Sequence, residues 1–126
     1  MSKNEDVVIA VVDDDRDARE FLSSVLSEMG TVVPFASGEE LLAWLRGGIR
    51  TDLITLDLEM PMENGDEVLK KLKGDPCWQG IPVVMITANG NDQGVGKKLI
   101  ELGAVAVVTK PFELEQLRTT IRKALV

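Results

Sequence analysis

The chain has 126 residues, enough for one domain with its own core, and its 44% hydrophobic and 28% charged residues strike a globular balance. With 14 basic against 21 acidic residues the net charge is −7, which argues against non-specific binding to nucleic acid or to an anionic membrane. Histidine is absent and Cys77 is the lone cysteine, which excludes Ser-His and Cys-His catalysis, the common zinc ligand sets and an intrachain disulfide.

Residues 1–6 are polar and acidic, unlike a signal peptide, and no apolar run approaches the length of a membrane span, so a cytoplasmic protein is expected. Residues 7–12 read as a strand that is apolar on both faces, as in a central parallel strand. Ala18, Phe21, Leu22, Val25, Leu26 and Met29 then recur at helical spacing up to Gly30. Residues 31–35 form a weaker strand whose Pro34 suits a sheet edge. Ser37-Gly38-Glu39-Glu40 has the pattern of a capping box, opening a helix through Leu41, Leu42 and Leu45 that Gly47-Gly48 ends. Trp44 belongs to that helix as packing.

A third strand at 53–56 delivers Asp57 at its end. Asn64 with Glu67 is expected to cap a helix that uses Val68, Leu69 and Leu72, and Gly74-Asp75-Pro76 breaks it. Cys77 and Trp78 follow in a loop expected to cover the core edge. Residues 82–87 and 104–108 are the fourth and fifth strands. Between them 97–102 reads as helical, with Gly90, Gly94 and Gly96 weakening its start by about 1 kcal/mol each relative to alanine. A last helix aligns Leu114, Leu117, Ile121 and Leu125. Five strands alternating with five helices predict an α/β fold, a doubly wound parallel sheet with helices on two faces and right-handed crossovers. No repeat, low-complexity tract or linker interrupts it, so residues 1–126 read as a single domain.

In such sheets, sites form beyond the carboxyl ends of the strands, where strand order reverses. The first strand here runs into Asp13-Asp14-Asp15, the third into Asp57, the fourth into Thr87 and the fifth into Thr109-Lys110. Any one of these alone is more simply a helix cap, a structural threonine or a solvated lysine. Together they converge on one small volume. Clustered carboxylates repel unless a cation joins them, and an all-oxygen set without histidine or thiolate selects Mg²⁺ or a similar hard ion. Lys110 adds a point charge and Thr87 a hydroxyl, both suited to a phosphoryl group. Carboxylate nucleophiles lie alongside.

Val11-Val12-Asp13-Asp14-Asp15, Leu56-Asp57-Leu58-Glu59-Met60-Pro61 with Gly65, Ile86-Thr87-Ala88 and Thr109-Lys110-Pro111-Phe112 resemble the signature blocks of two-component response-regulator receiver domains, in order and over nearly the whole chain. The resemblance implies the flavodoxin- and CheY-like strand order 2-1-3-4-5. It implies that Asp57 accepts a phosphoryl group from the phosphohistidine of a histidine kinase or phosphotransfer protein. It further implies that Asp14 is the main acidic Mg²⁺ ligand, with Asp13 assisting through water and Asp57 and the Glu59 backbone carbonyl completing the protein's share. Thr87 and Lys110 would bind the phosphoryl oxygens, and Lys110-Pro111 resembles a bond that is usually cis. Positioning and charge neutralisation do nearly all of such chemistry, so the domain is expected to be a switch rather than an enzyme with an external substrate.

Three positions depart from the family pattern. Val107 stands where many receivers carry an aromatic residue, so output is expected to run through Thr87 and its neighbouring backbone. Met62-Glu63 stand where a variable residue and Met are usual. Glu59 puts a carboxylate two residues after Asp57, where its side chain is expected to affect phosphate lifetime. The glycines from 90 to 96 suggest a mobile segment on the output face. With no output domain after Val126, the expected output is contact with a downstream target protein, as a monomer or phosphorylation-dependent dimer; excision from a hybrid kinase or larger regulator would leave the same sequence. The competing reading is a Mg²⁺-dependent phosphatase or nucleotide binder on the same sheet. A nucleotide site wants a glycine-rich loop where Asp13-Asp14-Asp15 stand, and an aspartyl-phosphate phosphatase wants its acid pair after the first strand. A receiver-like adaptor that is never phosphorylated is a third reading, opposed by the full set of site residues.

Overall fold

The computed structural model describes residues 7–126; the polar segment 1–6, and the parts of the signal-peptide and single-domain readings that rest on it, lie outside the described residues. Five strands, β1 (Val8–Val12), β2 (Thr31–Phe35), β3 (Leu53–Asp57), β4 (Val83–Thr87) and β5 (Ala106–Thr109), alternate with α1 (Arg16–Leu26), α2 (Gly38–Arg46), α3 (Gly65–Lys73), α4 (Gln93–Glu101) and α5 (Leu114–Leu125). The sheet order is β2-β1-β3-β4-β5, and every pairing is parallel.

Burial explains the order. All five residues of β3 and of β4 are buried, which only central strands achieve, whereas β2 is exposed at Thr31 and Pro34. Pro34 sits on that edge, where a missing donor costs no ladder bond to a further strand. Alternate strand residues feed two separate cores. Ala10, Val12, Ile54, Leu56, Val83 and Met85 pack under α2, α3 and α4. Ile9, Val11, Leu53, Val84 and Ile86 pack under α1 and α5 through Leu22, Leu26, Leu117 and Ile121. Strand order reverses between β1 and β3, so the residues that leave these two strands, Asp13 and Asp57, flank the crevice.

Element ends differ from the sequence reading where local hydrogen bonds compete with periodicity. Helix α1 stops at Leu26, before Met29, because the Ser27 hydroxyl donates to the Ser24 carbonyl and Ser27 becomes the cap. Phe21 is not a core residue: it is 49% exposed, its ring 6.1 Å from that of Phe112. Ser37 caps α2 as expected, accepting from the Glu40 N–H, but the Glu40 carboxylate reaches back to the Ala36 N–H rather than to Ser37. Asn64 gives α3 no side-chain cap, and Glu67 pairs with Lys70 instead. Helix α4 begins at Gln93, four residues earlier than its glycines suggested, because the Asp92 carboxylate accepts the Gly94 N–H.

Strand β5 begins at Ala106 rather than at 104. Gly103, at φ +114°, and Ala104 close α4 with paired bonds to the carbonyls of Ile100 and Leu99, a Schellman turn that consumes the residues whose apolar character looked like strand. Trp44 packs on Phe35 and donates to the Thr51 hydroxyl, and Trp78 covers the edge of the first core; Cys77 beside it is exposed. Among the described residues, no helix is long and apolar enough to cross a membrane.

Candidate functional site

Each strand end delivers its polar residue to the same place. Asp13, one residue beyond β1, is buried, and its backbone N–H donates to the Phe35 carbonyl, which fixes the strand exit. One Asp13 oxygen accepts from the Asp15 N–H, while Asp15 itself caps α1 by accepting from the Ala18 N–H. Of the three consecutive aspartates, the third is therefore spent on the helix. Asp14 between them is exposed.

Asp57, the last residue of β3, is 3% exposed. Behind it the chain turns tightly: the Gly65 N–H donates to the Leu58 carbonyl, and a methyl group at Gly65 would collide with the Asp57 carbonyl oxygen. That is a position where only glycine lets α3 approach the strand end.

One carboxylate oxygen from each of Asp13, Asp14 and Asp57 lies within 4.8 Å of the other two. Lys110 joins them, its Nζ 3.4 Å from Asp13 Oδ2 and 3.3 Å from Asp57 Oδ1. Its backbone N–H donates to the Thr87 carbonyl, and the Lys110-Pro111 bond is cis. Burial and the neighbouring Asp13 push the Asp57 carboxyl up to about 6, against the pull of Lys110. Burial disfavours the Lys110 ammonium, but Asp13 and Asp57 outweigh it and hold its pKa above the ordinary lysine value. One ammonium against two buried carboxylates leaves the cluster short of positive charge. The donor set is all oxygen, which fits a hard divalent cation such as Mg²⁺.

Thr87 lies at the end of β4 and is fully buried, and its hydroxyl is bonded to a residue other than Asp57. It donates to the Glu59 carboxylate at 2.5 Å. The same carboxylate accepts from the Ala88 N–H at 3.0 Å and the Asn89 side-chain amide at 3.2 Å. Burial raises the Glu59 pKa, but these three hydrogen bonds outweigh it and hold the carboxyl below its ordinary value.

Two contributors were not foreseen from sequence. Arg19, one turn into α1, folds back so that its guanidinium donates to the Asp13 carbonyl at 2.8 Å and the Asp14 carbonyl at 3.4 Å, pinning the acidic loop. Asn89 completes the grip on Glu59. An arginine in the first turn of a helix that follows an acidic loop is the available signal for the first. Nothing in the local pattern marks the second.

Residues 9–122 match the family described as the response regulator receiver domain. The chain is 38% identical over 120 residues to the transcriptional regulatory protein CpxR of Klebsiella pneumoniae, covering 93% of this chain and 48% of that protein. It is 34% identical over 110 residues to hybrid signal transduction histidine kinase D of Dictyostelium discoideum, covering 87% of this chain and 7% of the kinase. The chain thus spans about half or less of the length of these relatives. Among solved structures, the chemotaxis protein CheY4 of Vibrio cholerae superposes with a TM-score of 0.84 at 28% identity, over 94% of this chain and 98% of that one. With its order-2-1-3-4-5 sheet and its acidic crevice between β1 and β3, the chain belongs to the response regulator receiver domain family of two-component signalling systems.

Proposed function

We propose that Asp57 is the phosphoacceptor of this receiver domain and that Asp13, Asp14 and Asp57, with the backbone carbonyl of Glu59, hold a Mg²⁺ ion beside it. The observation that carries this reading is the Lys110 ammonium placed between the carboxylates of Asp57 and Asp13, at 3.3 and 3.4 Å. A nucleophile that will carry a phosphoryl group needs a fixed cation at the oxygens that gain charge, and Lys110 supplies one from a third strand.

In the proposed transfer, one Asp57 oxygen attacks the phosphorus of a phosphohistidine. The new O–P bond forms as the N–P bond breaks, and the imidazole leaves with the electron pair. Mg²⁺, when bound, neutralises the carboxylates and the phosphoryl oxygens together. Lys110 lies beside the acceptor, and the Thr87 hydroxyl and Ala88 N–H, which donate to Glu59 in the unphosphorylated chain, stand at the neighbouring strand end. Asp57's raised affinity for protons means that, without a cation, part of the acceptor is protonated and inert near neutral pH.

The donor is expected to be a histidine kinase or histidine phosphotransfer protein in the cytoplasm, and the output a contact with a downstream protein. The same fold would serve a receiver within a hybrid kinase equally well, as its likeness to such a kinase suggests. The chain then turns over no external substrate beyond its own acyl phosphate. Incubation with acetyl phosphate and Mg²⁺, followed by intact mass, tests the reading: one added phosphoryl group on the wild type and none on Asp57→Asn supports it.

A further inference from the structure

The Glu59 carboxylate is the most heavily bonded exposed acid near the site, and the proposed function has no use for its bonds. It takes the Thr87 hydroxyl at 2.5 Å, the Ala88 N–H at 3.0 Å and the Asn89 amide at 3.2 Å, so that one anion holds the last residue of β4 and the first two of the β4–α4 connection. The Asn89 N–H in turn donates to the Thr87 oxygen at 3.0 Å, so the hydroxyl is committed both as donor and as acceptor. A hydroxyl has one proton to give. While Glu59 holds it, Thr87 cannot donate to a phosphoryl oxygen on Asp57.

The geometry points to Glu59 as a resident anion that occupies the phosphoryl group's donors in the unphosphorylated chain, so that phosphorylation of Asp57 must expel it and release the β4–α4 connection. This rests on the reading of Asp57 as phosphoacceptor and adds a competitor within the same site. Two charges of like sign cannot share the Thr87 and Ala88 donors: a phosphoryl group brings more negative charge than a carboxylate, and it is tethered to Asp57. Glu59 has room to leave. It borders a cavity of about 250 Å³ formed with Leu58, Asn64, Asp66, Val95 and Lys98. The connection that is freed, residues 88–92, leads directly into α4, which buries only Leu99 among its residues. Expulsion of Glu59 therefore reaches the α4 face without an aromatic residue at position 107.

Beryllofluoride with Mg²⁺, titrated into the full chain and followed by amide shifts of Ala88 and Asn89, tests this directly. Competition and mere structural support predict opposite signs. If Glu59 competes, Glu59→Ala binds beryllofluoride about ten-fold more tightly than wild type, and Glu59→Gln falls between them. If Glu59 only braces the loop, both variants bind more weakly. Glu63→Gln removes a charge from the same loop, where Glu63 pairs with Lys71, and is expected to leave the affinity within about two-fold of wild type. Equal or weaker binding by the Glu59 variants overturns the inference and leaves Asp57's role standing, as does tightening by Glu63→Gln as large as that by Glu59→Gln. Failure of wild type and variants alike to take up beryllofluoride overturns both. The variants' thermal transitions, measured alongside, establish that all are folded.

Discussion

Lys110 Nζ sits 3.3 Å from Asp57 Oδ1, and the same ammonium also touches Asp13, so a residue from β5's exit holds together carboxylates delivered by β3 and β1. The side chain of Lys110 is 29% exposed and that of Asp57 4%, which makes the pair an open-topped ion pair rather than a sealed one. Its electrostatics lead to testable consequences.

Lys110→Ala leaves Asp13 and Asp57 facing each other without their cation. Removing one partner of a mostly buried pair is expected to cost about 1–3 kcal/mol above pH 6, measured by urea unfolding in EDTA. Phosphorylation by acetyl phosphate is expected to slow by roughly 10²-fold, the scale for losing one fixed charge donor. Unchanged rates would remove Lys110 from the chemistry.

The pH dependence of stability follows from Asp57. Its folded carboxyl titrates at about 6 against 3.8 for the ordinary group, so between these values the folded chain binds more protons than the unfolded one. Stability contributed by this group is therefore full at low pH and falls as pH rises from about 4 through 6. Asp57→Asn removes the penalty. In EDTA the variant should exceed wild type by about 1–3 kcal/mol at pH 7.5, allowing for solvent screening, and the difference should vanish below pH 4. A difference that stays constant with pH would contradict the assignment of cause.

The strand cores and the site's acids were legible in sequence for a common reason. β3 and β4 are buried on both faces, so their apolar runs are unbroken, and the residue that ends each run, Asp57 or Thr87, stands out against it. Asp13 and Lys110 are legible in the same way. What sequence could not supply is side-chain reach. Arg19 bonds backwards to carbonyls five and six residues away, and Glu59 crosses to another strand's exit, neither of which has a period. The start of α4 and the end of its turn were misplaced because Asp92's cap and the bonds of Gly103 and Ala104 decide them, against glycine and valine content.

Gly65 is predicted to be intolerant of the smallest change. A methyl group there meets the Asp57 carbonyl oxygen, which is backbone and cannot swing aside. Gly65→Ala should cost about 1–3 kcal/mol and lower phosphorylation by displacing Asp57. Gly80→Ala, where a methyl group meets nothing within 4 Å, is the control and should be close to neutral. Equal effects at the two positions would refute the packing argument.

The all-carboxylate cluster predicts divalent-ion stabilisation. Millimolar Mg²⁺ should raise the thermal midpoint by about 3–10 °C at pH 7.5, and Asp14→Asn should abolish most of this rise although Asp14 is exposed. A Mg²⁺ shift that survives Asp14→Asn would place the ion elsewhere.

The most direct test of Asp57 as phosphoacceptor is the intact mass of the chain after acetyl phosphate and Mg²⁺ treatment. One phosphoryl group added to the wild type, lost with time in Mg²⁺ buffer and absent from Asp57→Asn, is the predicted result. A wild type that gains no mass, or an Asp57→Asn chain that gains as much, would contradict it.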